Sequence, residues 1–193
     1  METLTRICFH GENDLEDIPL HVIHLAQDDP KKCTSRKLSK HGMCHLHTNL
    51  RQAPKRGLLL DPLSGVLIGP EDHNNLKRGA AIVSLDCSWK EIDNSVKYLN
   101  ENTNLDNRTL PVVLAANPIS WGKPGRLSNV EAFAVSLIIF EQWEQARSIL
   151  QPFKFGDEFF NLNRLPLEAY SQANSNAELA ELQWEFFDKP EQV

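Results

Sequence analysis

Nothing in this 193-residue chain approaches the roughly 20 consecutive apolar residues that a membrane helix needs. The longest apolar stretch, around Val135 to Phe140, suits a buried helix. No basic segment followed by an apolar core opens the chain, so secretion is not expected and the cytoplasm is. Cysteine is scarce, and Cys8, Cys33, Cys44 and Cys87 fall at irregular spacings that do not suit a disulfide framework. Internal repeats and low-complexity tracts are missing too, and histidine is absent beyond His73. The segment His41–His47 carries three histidines but a single cysteine, with Cys33 eleven positions upstream of Cys44. Zinc sites pair their ligands at defined spacings that this segment does not meet, so no metal is expected.

The absence of one sign of charge says more. The chain is acidic overall (net charge −6), yet Pro30 to Leu60 contains no acid and eight cations: Lys31, Lys32, Arg36, Lys37, Lys40, Arg51, Lys55 and Arg56. From Asp157 onward the balance reverses, with eight acids against Arg164 and Lys189. A one-sided basic segment on an acidic chain suits a face that meets phosphates. A solvated helix face carrying ordinary lysines would give the same count.

Hydrophobic patterning points to an α/β class, an α/β half followed by an all-helical half. Leu20–Ala26 alternates as a strand, and Asp29-Pro30 supplies an N-cap and a first helical position for a helix reaching Lys40. Gly57–Leu60 and Ala80–Leu85 read as strands, Gly69–Gly79 and Asn100–Thr109 as loops, and Ser88 to Asn100 as a helix. Leu110–Ala116 reads as a further strand closed by Asn117-Pro118. Ser128 and Glu131 have capping-box spacing, and helices follow at Asn129–Phe140, Trp143–Leu150, Phe155–Leu162, Pro166–Ser171 and Ala177–Phe187. The seam falls near Thr109, giving a lobe over 1–109, with an extension at 1–19, and a second over 110–193.

Ile82 to Lys90 is the most informative stretch. An apolar strand pattern ends abruptly in Asp86, Cys87, Ser88 and Trp89. Open α/β sheets hold ligands beyond the carboxyl ends of their strands, so Asp86 and Trp89 should stand in such a crevice. A carboxylate beside an aromatic face suits a cationic ligand or one with a flat base. A buried structural Trp near a surface Asp is the bland alternative.

Four segments in order resemble one family. They are Asp29-Pro-Lys-Lys-Cys-Thr34 with Lys37-Leu38; Leu60-Asp-Pro62; Leu85-Asp-Cys-Ser-Trp-Lys90; and Leu110–Pro118 followed by Trp121-Gly-Lys-Pro124 and Leu127–Ala132. Phe153–Gly156 and Phe160–Asn163 continue the likeness. Together they resemble the small-subunit rRNA aminocarboxypropyltransferases, ribosome-biogenesis enzymes with a SPOUT-like fold.

The resemblance implies a deep trefoil knot and binding of S-adenosylmethionine. It also implies transfer of the 3-amino-3-carboxypropyl group to N3 of a uridine or (methyl)pseudouridine in small-subunit rRNA or the pre-ribosomal small subunit, a monomeric state and no membrane. By position, adenine would lie among Leu60, Pro62 and Trp89, with backbone contacts near Leu110 and Gly125. The ribose would meet the backbone at Leu85. The carboxylate of the transferred group would meet Thr34 and the amide of Asn129, and free N–H groups at a helix start suit an anion. The family commonly has Tyr where Trp121 stands, Gly or Ala near Ser35, a bulkier residue at Gly125, and Thr or Cys at Asn129.

Trp89 packed on the methyl group would leave the propyl carbon open to attack. Asp86 is the candidate to take the proton of the base nitrogen or to orient that base by a hydrogen bond. An aspartate near pKa 3.9 is a weak base at neutral pH, and desolvation would improve it. Lys32, Arg36, Lys37 and Lys90 are the candidates for RNA phosphates, on a strand whose target base is unstacked. An RNA methyltransferase of related fold and a non-catalytic pre-ribosomal RNA-binding factor are the alternatives.

Overall fold

The computed structural model describes residues 16–25, 33–87 and 91–189. Five short strands form one sheet: β1 (Leu20–His24), β2 (His45–His47), β3 (Gly57–Leu60), β4 (Ala81–Asp86) and β5 (Asp106–Arg108). They lie in the order β2-β1-β4-β3-β5, and every pairing is parallel. All carboxyl ends therefore share one edge. Parallel sheets are covered on both faces, and β4, at the centre, is buried along its whole length.

Alternation divides the core in two. Leu20 and Val22 of β1, Leu58 and Leu60 of β3 and Ile82 of β4 face a large cluster shared with the helical half. Ile23, Leu59, Val83 and Leu85 face the other way, against Val96 and Leu99 of α3 (Ile92–Asn102). The remaining helices are α1 (Thr34–Lys40), α2 (His73–Lys77), α4 (Asn129–Ile139), α5 (Trp143–Leu150), α6 (Gly156–Leu162), α7 (Arg164–Ser171) and α8 (Asn176–Phe186). α4 is buried along most of its length and packs against α5, α7, α1 and β4. Among the described residues no helix is long and apolar enough to cross a membrane.

Three expectations need correction. α1 starts at Thr34 with Cys33 as N-cap, its sulfur accepting from the amide of Arg36 at 3.4 Å, so the cap is not at Asp29, which lies outside the described residues. The expected loop Asn100–Thr109 contains β5, and Gly69–Gly79 contains α2. Leu110–Ala116 joins no sheet. It is extended chain threaded against the helical half, with an isolated antiparallel bridge from Leu114 to Pro124. Side chains replace the ladder: Gln183 Oε1 accepts from the amide of Val112, Asn163 brackets Leu114 from both sides, and Tyr170 donates to the carbonyl of Val112. Burial pushes the Tyr170 phenol well above its usual range, so it stays protonated and able to donate.

Candidate active site

The period-two face that carries Leu20 and Val22 on β1 continues to His24, and the face carrying Ile82 and Ser84 on β4 continues to Asp86. These strands are neighbours, with His24 and Asp86 in register. Both polar side chains are buried where the apolar face ends at the carboxyl edge. Asp86 Oδ2 accepts from His24 Nδ1 at 2.8 Å and from the Cys33 thiol at 2.9 Å. Arg36 reaches the other ring nitrogen of His24, Nε2, at 3.1 Å. A guanidinium has only donors, so Nε2 accepts and the ring proton belongs on Nδ1, directed at Asp86. Burial, and then the bond to Asp86, push the Cys33 thiol up, which keeps its proton available for that bond.

His24 Nδ1, Cys33 Sγ and an Asp86 oxygen lie within 4.8 Å of one another, close enough to suggest metal ligands. The wiring argues for hydrogen bonds instead. Contacts of 2.8 and 2.9 Å are bonding distances between the side chains themselves. A ligating histidine normally donates its second N–H to an acceptor, whereas here that nitrogen faces a cation.

One further chain of bonds fixes the neighbourhood. Ser84 Oγ donates to Asn129 Oδ1 at 2.5 Å, and Asn129 Nδ2 donates to Ser35 Oγ at 2.7 Å. β4, α4 and α1 are thereby stapled within two residues of Asp86. Asn129 stands in the first turn of α4, where N–H groups lack intrahelical acceptors. Thr34 opens α1 in the same way.

The beginning of α4 also secures the loop in front of it. The fully buried Glu131 accepts from the amides of Ala116 (2.7 Å), Asn117 (2.9 Å) and Ser128 (2.7 Å), from Asn117 Nδ2 (2.8 Å) and from Ser128 Oγ (2.6 Å). The capping box read from Ser128 and Glu131 is present, and it extends to Asn117.

Of the residues singled out in the sequence, Leu60, Leu85 and Asp86 lie at the ends of adjacent strands, buried, with Pro62 exposed just beyond β3. Thr34 and Asn129 sit at helix starts held together through Ser35. Leu110 follows β5, and Gly125 bonds Val113 at the base of the Asn117–Arg126 loop. Trp89, Lys90 and Lys32 lie outside the described residues. Arg36 and Lys37 are exposed, yet each has a protein partner: Arg36 meets His24, while Lys37 donates to the carbonyl of Pro152 and lies 4.6 Å over the Phe153 ring. His24 and Cys33 were not read as site residues. The available signal was His24 falling on the same alternation as Leu20 and Val22.

A cleft of about 610 Å³ lies elsewhere, between α3 and the segment after β3, lined by Asp61, Leu63, Asp93, Lys97 and Glu101 among others. It does not include the Asp86 cluster.

Comparison with known proteins bears on both halves. Residues 58–187 match the family described as "Ribosome biogenesis protein, C-terminal". Residues 18–49 match "Possible Fer4-like domain in RNase L inhibitor, RLI". Clusters of that type are held by four thiolates, and this segment has only Cys33 and Cys44. Cys33 donates to Asp86, and burial pushes Cys44 up to about 12, so the residues do not fit such a cluster. The 16S rRNA aminocarboxypropyltransferase of Methanosarcina mazei is 41% identical over 86% of this chain and 94% of its own. That of Methanothermobacter thermautotrophicus is 42% identical over 86% and 96%. The solved "SAM-dependent rRNA:acp-transferase Tsr3 from Vulcanisaeta distributa" superposes with a TM-score of 0.75 at 28% identity, covering 88% of this chain and 95% of its own.

Proposed function

The chain belongs to the 16S rRNA aminocarboxypropyltransferase family, and from that premise we propose that it transfers the 3-amino-3-carboxypropyl group of S-adenosylmethionine to N3 of a uridine-type base in small-subunit rRNA. The observation that carries this reading is the likeness to the Methanosarcina mazei enzyme, 41% over nearly the whole of both chains. The substrate is rRNA within the maturing small subunit, and methylthioadenosine is the by-product.

S-adenosylmethionine supplies an electrophilic carbon beside its sulfonium; the rest falls to the chain. Leu60 and Pro62 would wall the adenine, with the backbone near Leu110 and Gly125 closing round it and that of Leu85 meeting the ribose. The amides opening α1 and α4, at Thr34 and Asn129, would hold the carboxylate of the transferred arm. Trp89 would cover the methyl group, so that only the propyl carbon meets the RNA. The base nitrogen forms its bond to that carbon as the carbon–sulfur bond breaks and the electron pair goes to sulfur.

Asp86 is the residue for the proton of that nitrogen. Among the described residues His24 and Cys33 both bond to Oδ2, and Oδ1 is the oxygen we assign to the base. Orientation at about 3–3.5 Å supplies most of the rate. Lys32, Arg36, Lys37 and Lys90 would lie along the phosphates, with Arg36 and Lys37 contributing charge from positions they already hold. The two-lobe division at Thr109, the deep trefoil knot, a monomeric state and a cytoplasmic location complete the reading.

The test is incubation with small-subunit rRNA lacking the modification and cofactor labelled either in the carboxypropyl arm or in the methyl group. Arm label in RNA is expected. Methyl label there would make the protein a methyltransferase, and RNA binding with no transfer of either label would make it an assembly factor.

A further inference from the structure

Ile119 and Trp121 are the two most exposed large apolar side chains among the described residues, at 72% and 60%. Both sit on the loop Asn117–Arg126. A flexible loop could expose a Trp by accident, but this one is tied down. Leu114 bridges Pro124, the amide of Gly122 bonds the carbonyl of Ala115 at 2.7 Å, and that of Gly125 bonds Val113 at 2.9 Å. The amide of Lys123 closes an inner turn onto Ser120, and Asn117 is clamped by Glu131 from beneath. Gly122 and Gly125 take the left-handed conformation, with φ of 73° and 66°, which lets the chain turn this tightly.

The charge around this tip is one-sided. From Leu110 to Val130 the chain carries Lys123 and Arg126 and no acid, within a protein of net charge −6. The loop is also coupled to the candidate site. Glu131, which grips it, lies two residues from Asn129, and Asn129 is bonded to Ser84 on the strand that ends in Asp86.

We propose that the Asn117–Arg126 loop is an RNA contact in its own right, in which the Trp121 indole, with Ile119 beside it, stacks on an unpaired base neighbouring the one being modified. Lys123 and Arg126 add local charge for the phosphates. A target base drawn into a pocket leaves its neighbours unstacked, and an exposed indole carried on a braced loop would offer them the face they have lost. A rigid aromatic beside cations is the arrangement by which single strands are held without sequence readout. This inference rests on the proposed rRNA substrate and names a part of its binding surface that the basic segment Lys31–Arg56 does not supply.

Fluorescence anisotropy with a labelled small-subunit rRNA fragment tests it directly, because the measurement needs no turnover. Trp121→Ala should weaken RNA binding about tenfold or more, raise KM for RNA more than it lowers kcat, and leave S-adenosylmethionine affinity unchanged by calorimetry. Trp121→Phe should recover most of the loss. Lys123→Glu should flatten the salt dependence of binding, whereas Trp121→Ala should not. The side chain is exposed, so unchanged thermal melts are expected to show that these variants fold.

Unaltered RNA affinity in Trp121→Ala overturns the proposal. So does an equal loss of cofactor affinity, which would make the loop a cofactor wall. A defect seen only on assembled pre-ribosomal particles, with bare RNA bound normally, also overturns it and assigns the loop to a protein partner. Trp121-dependent RNA binding by a protein that transfers no label would uphold it while removing the transferase reading.

Discussion

Two buried carboxylates, one at the end of β4 and one in the first turn of α4, sit a few residues apart in the fold and are wired differently. Glu131 takes five hydrogen bonds spread over both of its oxygens, three of them from backbone amides. Among the described residues Asp86 takes two, both on Oδ2 and both from side chains that are themselves positioned by α1 and β1. A carboxylate whose acceptor sites are filled is a structural part. One that the described residues bond at a single oxygen is oriented through that oxygen. Burial alone does not separate the two; the distribution of partners does.

That contrast can be broken by experiment. Glu131→Ala should have the largest effect, leaving several buried donors without acceptors and lowering stability by at least about 3 kcal/mol. Urea denaturation should show it as a lower midpoint with unchanged slope. A variant that melts normally but is inactive would place Glu131 in the chemistry and cancel the distinction.

Asp86→Asn should do the reverse. Its kcat should fall about 100-fold or more in single-turnover transfer assays, with cofactor affinity retained and less destabilisation than Glu131→Ala. Near-normal turnover in this variant would remove Asp86 from the reaction. Cys33→Ala takes away one of the two donors and should lower kcat by roughly fivefold, the effect of about 1 kcal/mol.

The smallest effect concerns the sheet edge. His21 Nδ1 and His47 Nε2 lie 2.8 Å apart, and the ring of His45 lies 4.9 Å from that of His21. Burial, and then the neighbouring His47 and His45, lower His21 from its ordinary 6.5 to about 4. The unfolded chain therefore takes up the proton first as pH falls. The associated stability is complete above pH 6.5 and is lost progressively down to about 4. Thermal melts from pH 7.5 to 4.5 should fall by a few degrees less in His21→Gln than in the natural chain. Equal slopes would mean that the acid sensitivity has another source.

Features with strong local periodicity were legible in the sequence. β4 with its terminal Asp86, and α4 with Ser128 and Glu131 at its start, were expected within one residue of where they lie. Two three-residue strands were not, because His45–His47 and Asp106–Arg108 are too short and too polar to show alternation. Leu110–Ala116 misled for the opposite reason. Its apolar run looks like a strand, but amides of Val112, Leu114 and Ala116 are satisfied by Gln183, Asn163 and Glu131, which lie 15 to 71 residues further on. The setting of Asp86 was hidden by the same distance: Cys33 is 53 positions away and His24 is 62. Period-two reading could place His24 on the correct face, but only the register of β1 on β4 brings it to Asp86.

An all-parallel sheet has a consequence for how the molecule is made. No strand can bond to the next by a simple hairpin, and the amide of Ile18 beside β1 waits for Gln145, 127 residues downstream. At about 5–20 residues per second, synthesis of that interval takes roughly 6–25 s. Throughout it, the nascent strands expose the apolar face that the late helices will eventually cover. Apolar surface left open for that long should make the yield of this protein sensitive to translation speed and chaperone access.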